Sequence, residues 1–213
     1  MIDIGNVFIL GDSYSTFEGF IPNGYATYYT NAGREETDVS KVEQTWWHQL
    51  LEDTESTLLK NCSYSGTTIC NTGYDGRDCT DISFIARFDK LIEENYFVEN
   101  KVDTFFLFGG TNDSWADSPI GELMYSDWKK EDLFCVLPAF CYLLNQVNIN
   151  LPNTKVICIV NTELKSEIAE SFKLACKRYS IDFVQLNEID KKCGHPTIKG
   201  MKQIKDQILD CIK

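Results

Sequence analysis

The stretch NVFILGDS at residues 6–13 decides how this chain folds. Residues 6–10 form a short run rich in β-branched and aromatic side chains, which predicts a buried strand. Gly11, Asp12 and Ser13 follow it directly and are typical of a turn. The sequence therefore predicts a strand that ends by presenting two polar side chains at one edge of a sheet.

The same succession of strand and turn recurs along the chain. Further strands are predicted at residues 58–61, 104–108, 155–160 and 181–186. Apolar spacing predicts helices at residues 45–51, 81–95, 132–147, 163–179 and 197–212, with a kink or an early break at Pro138. Apolar strands that alternate with helices indicate a parallel sheet covered on both faces. We therefore expect one domain over residues 1–213, a three-layer α/β/α sandwich of the flavodoxin-like type with about five parallel strands.

Composition narrows the classes of partner. The formal net charge is −12, which argues against nucleic acid and against an anionic membrane, because phosphate binding needs clustered Lys and Arg. The nine cysteines are odd in number and form no C-x-x-C pair, so we expect reduced thiols and no metal site. The first residues lack the basic segment of a secretory signal, and no apolar run approaches the ~18 residues of a membrane span. We expect a cytoplasmic protein that uses no cofactor and acts on a small molecule.

Three unusual loops follow strands of the predicted sheet. They are residues 11–13 (GDS), 63–66 (SYSG) and 109–113 (GGTND). Ligands bind such sheets outside the carboxyl ends of the strands, so we expect the three loops to meet there. The long loop at residues 20–42 is expected to wall the pocket and holds three tyrosines, Tyr25, Tyr28 and Tyr29.

These loops, together with His195-Pro196 near the end of the chain, resemble the motifs of SGNH hydrolases, the GDSL-like lipase/acylhydrolase family. The resemblance spans residues 7–204, and the stretches GDSYSTFEGFIP and GGTNDSW are similar to a bacterial branch of that family. It implies that Ser13 is the nucleophile and His195 the general base. It also implies an oxyanion hole of three donors: the backbone N–H groups of Ser13 and Gly66 and the side-chain amide of Asn112.

The chemistry of these residues also fits acyl transfer, independently of the resemblance. That chemistry needs a nucleophile, a base and donors aimed at the developing oxyanion. Of the two histidines, His48 lies in a Trp-rich helical stretch typical of a structural residue, whereas His195 precedes a proline that favours a helix start. No G-x-S-x-G motif occurs, so an α/β-hydrolase is not expected. Asp12 and Asp113 are expected to support the loops, and Trp115 to line the acyl or alcohol pocket.

One position departs from the family pattern. The family usually has an Asp three residues before the histidine, and this chain has Lys192 there. An ammonium group accepts no hydrogen bond, so it cannot orient the imidazole. Asp190 is the nearest substitute, with Glu188 farther away, and we expect the Asp190 carboxylate to contact His195. The alternative is a backbone carbonyl of residues 190–193, which would leave a Ser–His dyad.

The sequence thus predicts a serine esterase that hydrolyses carboxylic esters of short acyl groups, such as acetyl groups on sugars or small metabolites. Two alternatives stay open. Lys192 is consistent with a binding protein on the same fold that has lost turnover. A flavodoxin-like signalling or cofactor domain would explain the alternation of strands and helices, but not Asn112 and His195 together. Neither the fold nor the catalytic residues determine the substrate.

Overall fold

A computed structural model describes residues 3–212 of the protein. Five strands form one parallel sheet with the order β2-β1-β3-β4-β5. This arrangement confirms the parallel sheet expected from the sequence. The strands are β1 (Asn6–Gly11), β2 (Thr57–Ser63), β3 (Thr104–Phe108), β4 (Lys155–Val160) and β5 (Asp182–Gln185).

Helices cover both faces of the sheet, which gives the expected three-layer sandwich. They are α1 (Trp46–Thr54), α2 (Phe84–Glu93), α3 (Tyr96–Glu99), α4 (Thr111–Trp115), α5 (Val136–Asn150), α6 (Ser166–Tyr179) and α7 (Ile198–Ile212). Helices α1 and α7 pack on one face, and α2, α5 and α6 on the other. Within residues 3–212 no helix combines the length and the apolar character that crossing a membrane requires.

Alternating side chains of the central strands separate two hydrophobic cores. In β1, Phe8 and Leu10 face α2, α5 and α6, whereas Val7 and Ile9 face α1 and α7. Successive side chains of a strand point to opposite faces, so an apolar strand with no polar face is buried on both sides. Because β1 lies between β2 and β3, the turn after β1 sits within the carboxyl edge of the sheet, between two neighbouring loops.

Two local features differ from the sequence-based expectation. The segment at residues 132–147 is interrupted at Cys135, whose backbone is extended, and Pro138 lies in the first turn of α5, where no backbone N–H is needed. The last helix begins at Ile198. The preceding residues form a short antiparallel pair, β6 (Lys191–Lys192) with β7 (His195–Pro196), so His195 lies in a hairpin before the helix rather than at its first position.

Candidate active site

The turn after β1 holds Ser13 in a fixed position. Asp12 accepts a hydrogen bond at 3.0 Å from the backbone N–H two residues further on, and so caps the helical turn at residues 13–15. A Cβ atom at Gly11 would lie 2.6 Å from the Ser63 hydroxyl oxygen, so a side chain would collide where β1 enters the turn. Ser13 itself is only 4% exposed. Its hydroxyl is therefore presented at the sheet edge with little freedom to move.

A buried arginine joins the turn that holds Ser13 to the loop after β2. Arg87 of α2 donates through Nη2 to the Gly11 carbonyl at 3.2 Å and to Thr67 Oγ1 at 3.0 Å. Its Nη1 donates to the Cys62 carbonyl, and its Nε donates to the Ile82 carbonyl at 3.0 Å. No carboxylate of residues 3–212 lies within salt-bridge distance of this guanidinium. The charge is instead spread over carbonyl and hydroxyl oxygens that fix the ends of two strands.

The loops after β2 and β3 carry Gly66 and Asn112. Two hydrogen bonds orient the Asn112 amide: Nδ2 donates to the Thr67 carbonyl at 3.0 Å, and Oδ1 accepts from the Tyr74 hydroxyl at 2.8 Å. Gly66 has a φ of 79°, a conformation that favours glycine. In the part of the chain that the structure describes, neither the Ser13 N–H nor the Gly66 N–H donates a hydrogen bond. These two groups and the second amide hydrogen of Asn112 are free to bind a ligand.

Buried carboxyl groups support this side of the site. Asp113 accepts hydrogen bonds from the backbone N–H groups of Ile69 at 2.9 Å and Cys70 at 3.2 Å, which joins the loops after β2 and β3. Burial raises the pKa of Asp113 to about 6. Burial likewise raises the pKa of Asp12 to about 7, and the nearby charge of Asp113 adds to that rise. Both residues hold loops, as the sequence suggested.

His195 meets Ser13 although the two residues lie 182 positions apart in the sequence. The distance from His195 Nε2 to Ser13 Oγ is 2.9 Å. The hairpin of β6 and β7 brings the imidazole to the edge of the sheet where β1 ends. A proton can pass directly between a hydroxyl and an imidazole at this distance.

The other ring nitrogen faces a backbone carbonyl. His195 Nδ1 lies 3.2 Å from the Cys193 carbonyl oxygen. The Asp190 carboxylate accepts a hydrogen bond from the Thr197 hydroxyl instead, and the same hydroxyl accepts from the Gly200 N–H at 3.1 Å. The structure therefore does not bring Asp190 to His195 as expected; it corresponds to the carbonyl alternative. The physical reason is that the Asp190 carboxylate is engaged at the beginning of α7.

Side chains from elsewhere in the chain anchor the histidine hairpin. The hydroxyl groups of Tyr14 and Tyr29 donate to the carbonyls of the residues immediately before and after His195. Lys192, at the position where the family usually has Asp, donates from Nζ to the Glu35 carbonyl in the long loop. This lysine therefore joins the histidine hairpin to the long loop.

Aromatic rings surround the imidazole. Tyr28 lies face to face with His195, with ring centroids 3.5 Å apart and planes inclined by 7°. Trp115 approaches with its edge, at a centroid distance of 6.0 Å. Burial lowers the pKa of His195 from its usual 6.5; the hydrogen bond at Nδ1 opposes this, and the positive charges of Arg34 and Lys191 add to it. The imidazole is thus predominantly neutral at pH 7, the form that accepts a proton.

The second histidine lies outside this arrangement. His48 lies on α1 with its Nδ1 3.7 Å from the Glu52 carboxylate, consistent with a structural residue. Within residues 3–212 no group of three or more His, Cys, Asp or Glu side chains could hold a metal ion.

Two supporting residues of the site were not identified from the sequence. Arg87 bonds to the ends of β1 and β2, and the Tyr74 hydroxyl donates to the Asn112 amide oxygen. Arg87 was detectable as a cation inside the apolar stripe of α2, whose other members are Phe84, Phe88 and Leu91.

Comparison with known proteins agrees with this arrangement. The model of the GDSL-like lipase/acylhydrolase family matches residues 5–212. A solved structure assigned as a GDSL-like lipase from Bacteroides ovatus ATCC 8483 is 46% identical, with a TM-score of 0.91 over 97% of this chain and 96% of that chain. A second, from Bacteroides uniformis ATCC 8492, is 41% identical, with a TM-score of 0.90 over 97% of this chain and 94% of that chain.

A more distant structure shares the fold alone. A family two carbohydrate esterase from Clostridium thermocellum, in complex with cellohexaose, has a TM-score of 0.66 at 16% identity, over 100% of this chain and 65% of that chain. No curated protein matches the chain. The family match covers nearly the whole sequence, and it agrees with the fold and with two solved structures of high identity. The chain therefore belongs to the GDSL-like lipase/acylhydrolase family and is a carboxylic-ester hydrolase.

Proposed function

We propose that this protein hydrolyses carboxylic esters of short acyl groups carried by sugars or small metabolites, with Ser13 as nucleophile and His195 as general base. The observation that carries the proposal is the 2.9 Å contact between Ser13 Oγ and His195 Nε2 at the carboxyl edge of the sheet. A serine hydroxyl alone is a weak nucleophile, and an adjacent neutral imidazole activates it by accepting its proton.

The reaction takes two steps. Ser13 Oγ attacks the ester carbonyl carbon while its proton moves to His195 Nε2, and His195 then gives that proton to the leaving alcohol. Water next attacks the acyl-enzyme and gives a proton to His195, which returns it to Ser13 as the carboxylic acid leaves. The oxyanion formed in each step accepts hydrogen bonds from the Ser13 and Gly66 N–H groups and from the Asn112 amide.

The base in this mechanism works without a carboxylate partner. A hydrogen bond from His195 Nδ1–H to the Cys193 carbonyl supports the tautomer in which Nε2 carries no proton and faces Ser13. A carbonyl stabilises a protonated imidazole less than a carboxylate does, which agrees with the lowered pKa of His195. The pair is therefore a Ser–His dyad, and Asp190 acts at the helix start.

Exposed aromatic rings at the rim of the site support the proposal that the substrate is a carbohydrate ester. Trp115, beside His195, is 37% exposed, and Tyr74, bonded to Asn112, is 41% exposed. Exposed aromatic rings offer flat apolar faces on which a sugar ring can stack. The family two carbohydrate esterase, which has a similar fold, was solved with cellohexaose. The sequence contains no amphipathic lid helix suited to a lipid tail, which favours a short acyl group.

Replacement of the nucleophile tests the mechanism. Ser13→Ala should abolish hydrolysis of a short aryl ester and labelling by a fluorophosphonate probe, while the melting temperature stays close to that of the wild type. Ser126→Ala is the matched control, because this exposed serine donates its hydroxyl hydrogen bond to the neighbouring Asp127. Hydrolysis that survives Ser13→Ala would refute the mechanism. A wild-type protein that is neither labelled nor active would instead favour the binding-protein alternative.

A substrate panel tests the proposed ester class. We expect acetyl esters of sugars and of small alcohols to be cleaved with higher kcat/KM than esters of long-chain acids. Trp115→Ala should raise KM for an acetylated sugar more than for an acetylated aryl alcohol that is too small to reach the ring. Faster hydrolysis of long-chain esters would overturn the choice of a short acyl group without touching the assignment of Ser13.

A further inference from the structure

We propose that Tyr28 is a positioning residue for the base: its ring face holds the imidazole plane so that Nε2 stays aimed at Ser13. This inference rests on the proposed function and deepens it. Within residues 3–212 no carboxylate contacts His195, and the Cys193 carbonyl is the partner of Nδ1. Together with the contact between Nε2 and Ser13, that carbonyl fixes the two ring nitrogens but not the tilt of the ring about the line that joins them, so a further constraint on the plane is needed.

The geometry of Tyr28 supplies that constraint. Its ring lies 3.5 Å from the imidazole, with planes inclined by only 7°, the closest and most parallel of the ring contacts around His195. The rings of Tyr14, Tyr29 and Trp115 meet the imidazole at steep angles of 58°, 78° and 69°. A flat partner at contact distance blocks tilting of the imidazole toward it, whereas the steeply inclined rings contact it only at their edges.

Tyr28 is also tied to the nucleophile. Its backbone N–H donates to Thr16 Oγ1 at 2.9 Å, and that hydroxyl donates to the Ser13 carbonyl at 3.0 Å. Arg34 holds the other side of the residue: its Nη1 donates to the Tyr28 carbonyl at 3.1 Å, and its guanidinium lies 4.7 Å from the ring centroid. One residue therefore joins the turn of the nucleophile to the plane of the base.

The groups that face the imidazole come from several elements. The long loop supplies Tyr28, Tyr29 and Arg34, and the turn after β1 supplies Ser13 and Tyr14. Helix α4 supplies Trp115, and the hairpin of His195 itself supplies Lys191 and the Cys193 carbonyl. The charged members, Arg34 and Lys191, disfavour the protonated ring. Tyr28 adds to the burial of the ring, so it helps keep the base neutral as well as aimed.

Three substitutions at this position test the proposal. Tyr28→Leu and Tyr28→Met remove the flat face but keep an apolar side chain, and Tyr28→Phe keeps the face. We expect kcat to fall by about 10–100-fold in the first two, since small misplacements of catalytic groups can cost about 100-fold, with KM nearly unchanged. Tyr28→Phe should retain wild-type kcat. Tyr125→Leu is the matched control, because that exposed tyrosine contacts the ring of Tyr179, with planes inclined by 54°, and not that of His195.

A readout that does not depend on activity is an NMR titration of the imidazoles. The chain has two histidines, so His48 serves as an internal reference for His195. The midpoint of His195 should rise toward 6.5 in Tyr28→Leu, because burial of the ring is reduced, and should stay unchanged in Tyr28→Phe.

The outcomes separate this inference from the proposed function. An inactive Ser13→Ala beside fully active Tyr28→Leu and Tyr28→Met variants with an unmoved His195 midpoint would refute the role of Tyr28 alone. An equal loss in Tyr28→Phe would also refute it, since the ring face would then be irrelevant. An active Ser13→Ala would refute the proposed mechanism itself. Loss of folding in one non-aromatic variant leaves the other, together with Tyr28→Phe, to decide.

Discussion

The two halves of the site are built in different ways. The half that holds Ser13, Gly66 and Asn112 rests on buried polar groups: Arg87 bonds to the ends of β1 and β2, and Asp113 joins the loops after β2 and β3. In the half that holds His195, no carboxylate of residues 3–212 contacts the imidazole. Its one buried cation among those residues, Lys191, bonds to Asn161 and Thr162 and not to the ring. This half relies on tyrosine hydroxyls, a backbone carbonyl and the face of an aromatic ring.

This difference indicates which side chains of the site are held most tightly in position. Buried hydrogen bonds are directional, and leaving one unmade costs free energy, so Ser13 and the loops of Gly66 and Asn112 are held to one geometry. Packing of rings is less directional, so the imidazole of His195 is held by several weaker contacts. We therefore expect changes in the oxyanion half to cost more, both in catalysis and in stability, than changes of the charged groups around the histidine.

The largest effect is expected at Asn112, the proposed oxyanion donor. Asn112→Ala should lower kcat by about 10²–10³-fold with little change in KM, because one oxyanion donor contributes about that much in a serine protease. Tyr74→Phe removes the hydroxyl that orients the Asn112 amide and should cause a smaller loss in kcat. Steady-state kinetics on a short aryl ester measure both. A change confined to KM would make Asn112 a substrate-binding residue instead.

The next effect is on stability. Arg87→Met leaves the Gly11, Cys62 and Ile82 carbonyls without this donor, and hydrogen bonds to charged groups contribute about 1.5–3 kcal/mol each. The free energy of unfolding, measured with urea, should fall by on the order of 3 kcal/mol or more. Arg77→Met, at an exposed position, is the control and should change it little. Equal free energies of unfolding in the two variants would contradict a stabilising role for the hydrogen bonds of Arg87.

A smaller effect is expected on the histidine side. Asp190→Asn should lower kcat by less than about tenfold, because a carbonyl, not this carboxylate, contacts the imidazole. Asparagine can still accept the hydrogen bond from Thr197 at the start of α7. A loss of several orders of magnitude in kcat, with the melting temperature unchanged, would mean that Asp190 reaches His195 during turnover and would restore a triad.

The smallest effect concerns the acidic limb of the pH profile. Only the neutral imidazole accepts the serine proton, so activity rises as pH passes upward through the pKa of His195. Since that pKa is lowered, half-maximal kcat/KM should lie below 6.5. Arg34→Gln removes a positive charge that disfavours protonation, so the midpoint should move upward. A wild-type midpoint above 6.5 would contradict the direction of the shift.

Much of the fold was predictable because its signals are local. The run NVFIL and the apolar stretches at 104–108 and 155–160 predicted strands from their own composition, and these are β1, β3 and β4. Asn112 and Gly66 could be proposed because the loops that hold them resemble motifs of the family. The orienting partner of His195 could not be predicted, since Asp190 and the carbonyl of Cys193 are both close in sequence and only the path of the hairpin distinguishes them.

The alternation of strands and helices, the polar loops at the strand ends and the residue types that acyl transfer requires could all be recognised from the sequence. Three features depend on how distant segments pack: Arg87 bonds to the ends of two strands, the Cys193 carbonyl faces His195 Nδ1, and Tyr28 stacks on His195. The physical reason is that hydrophobic periodicity is a property of neighbouring residues. Buried hydrogen bonds and ring contacts depend instead on how distant segments meet, as Ser13 and His195 do across 182 residues.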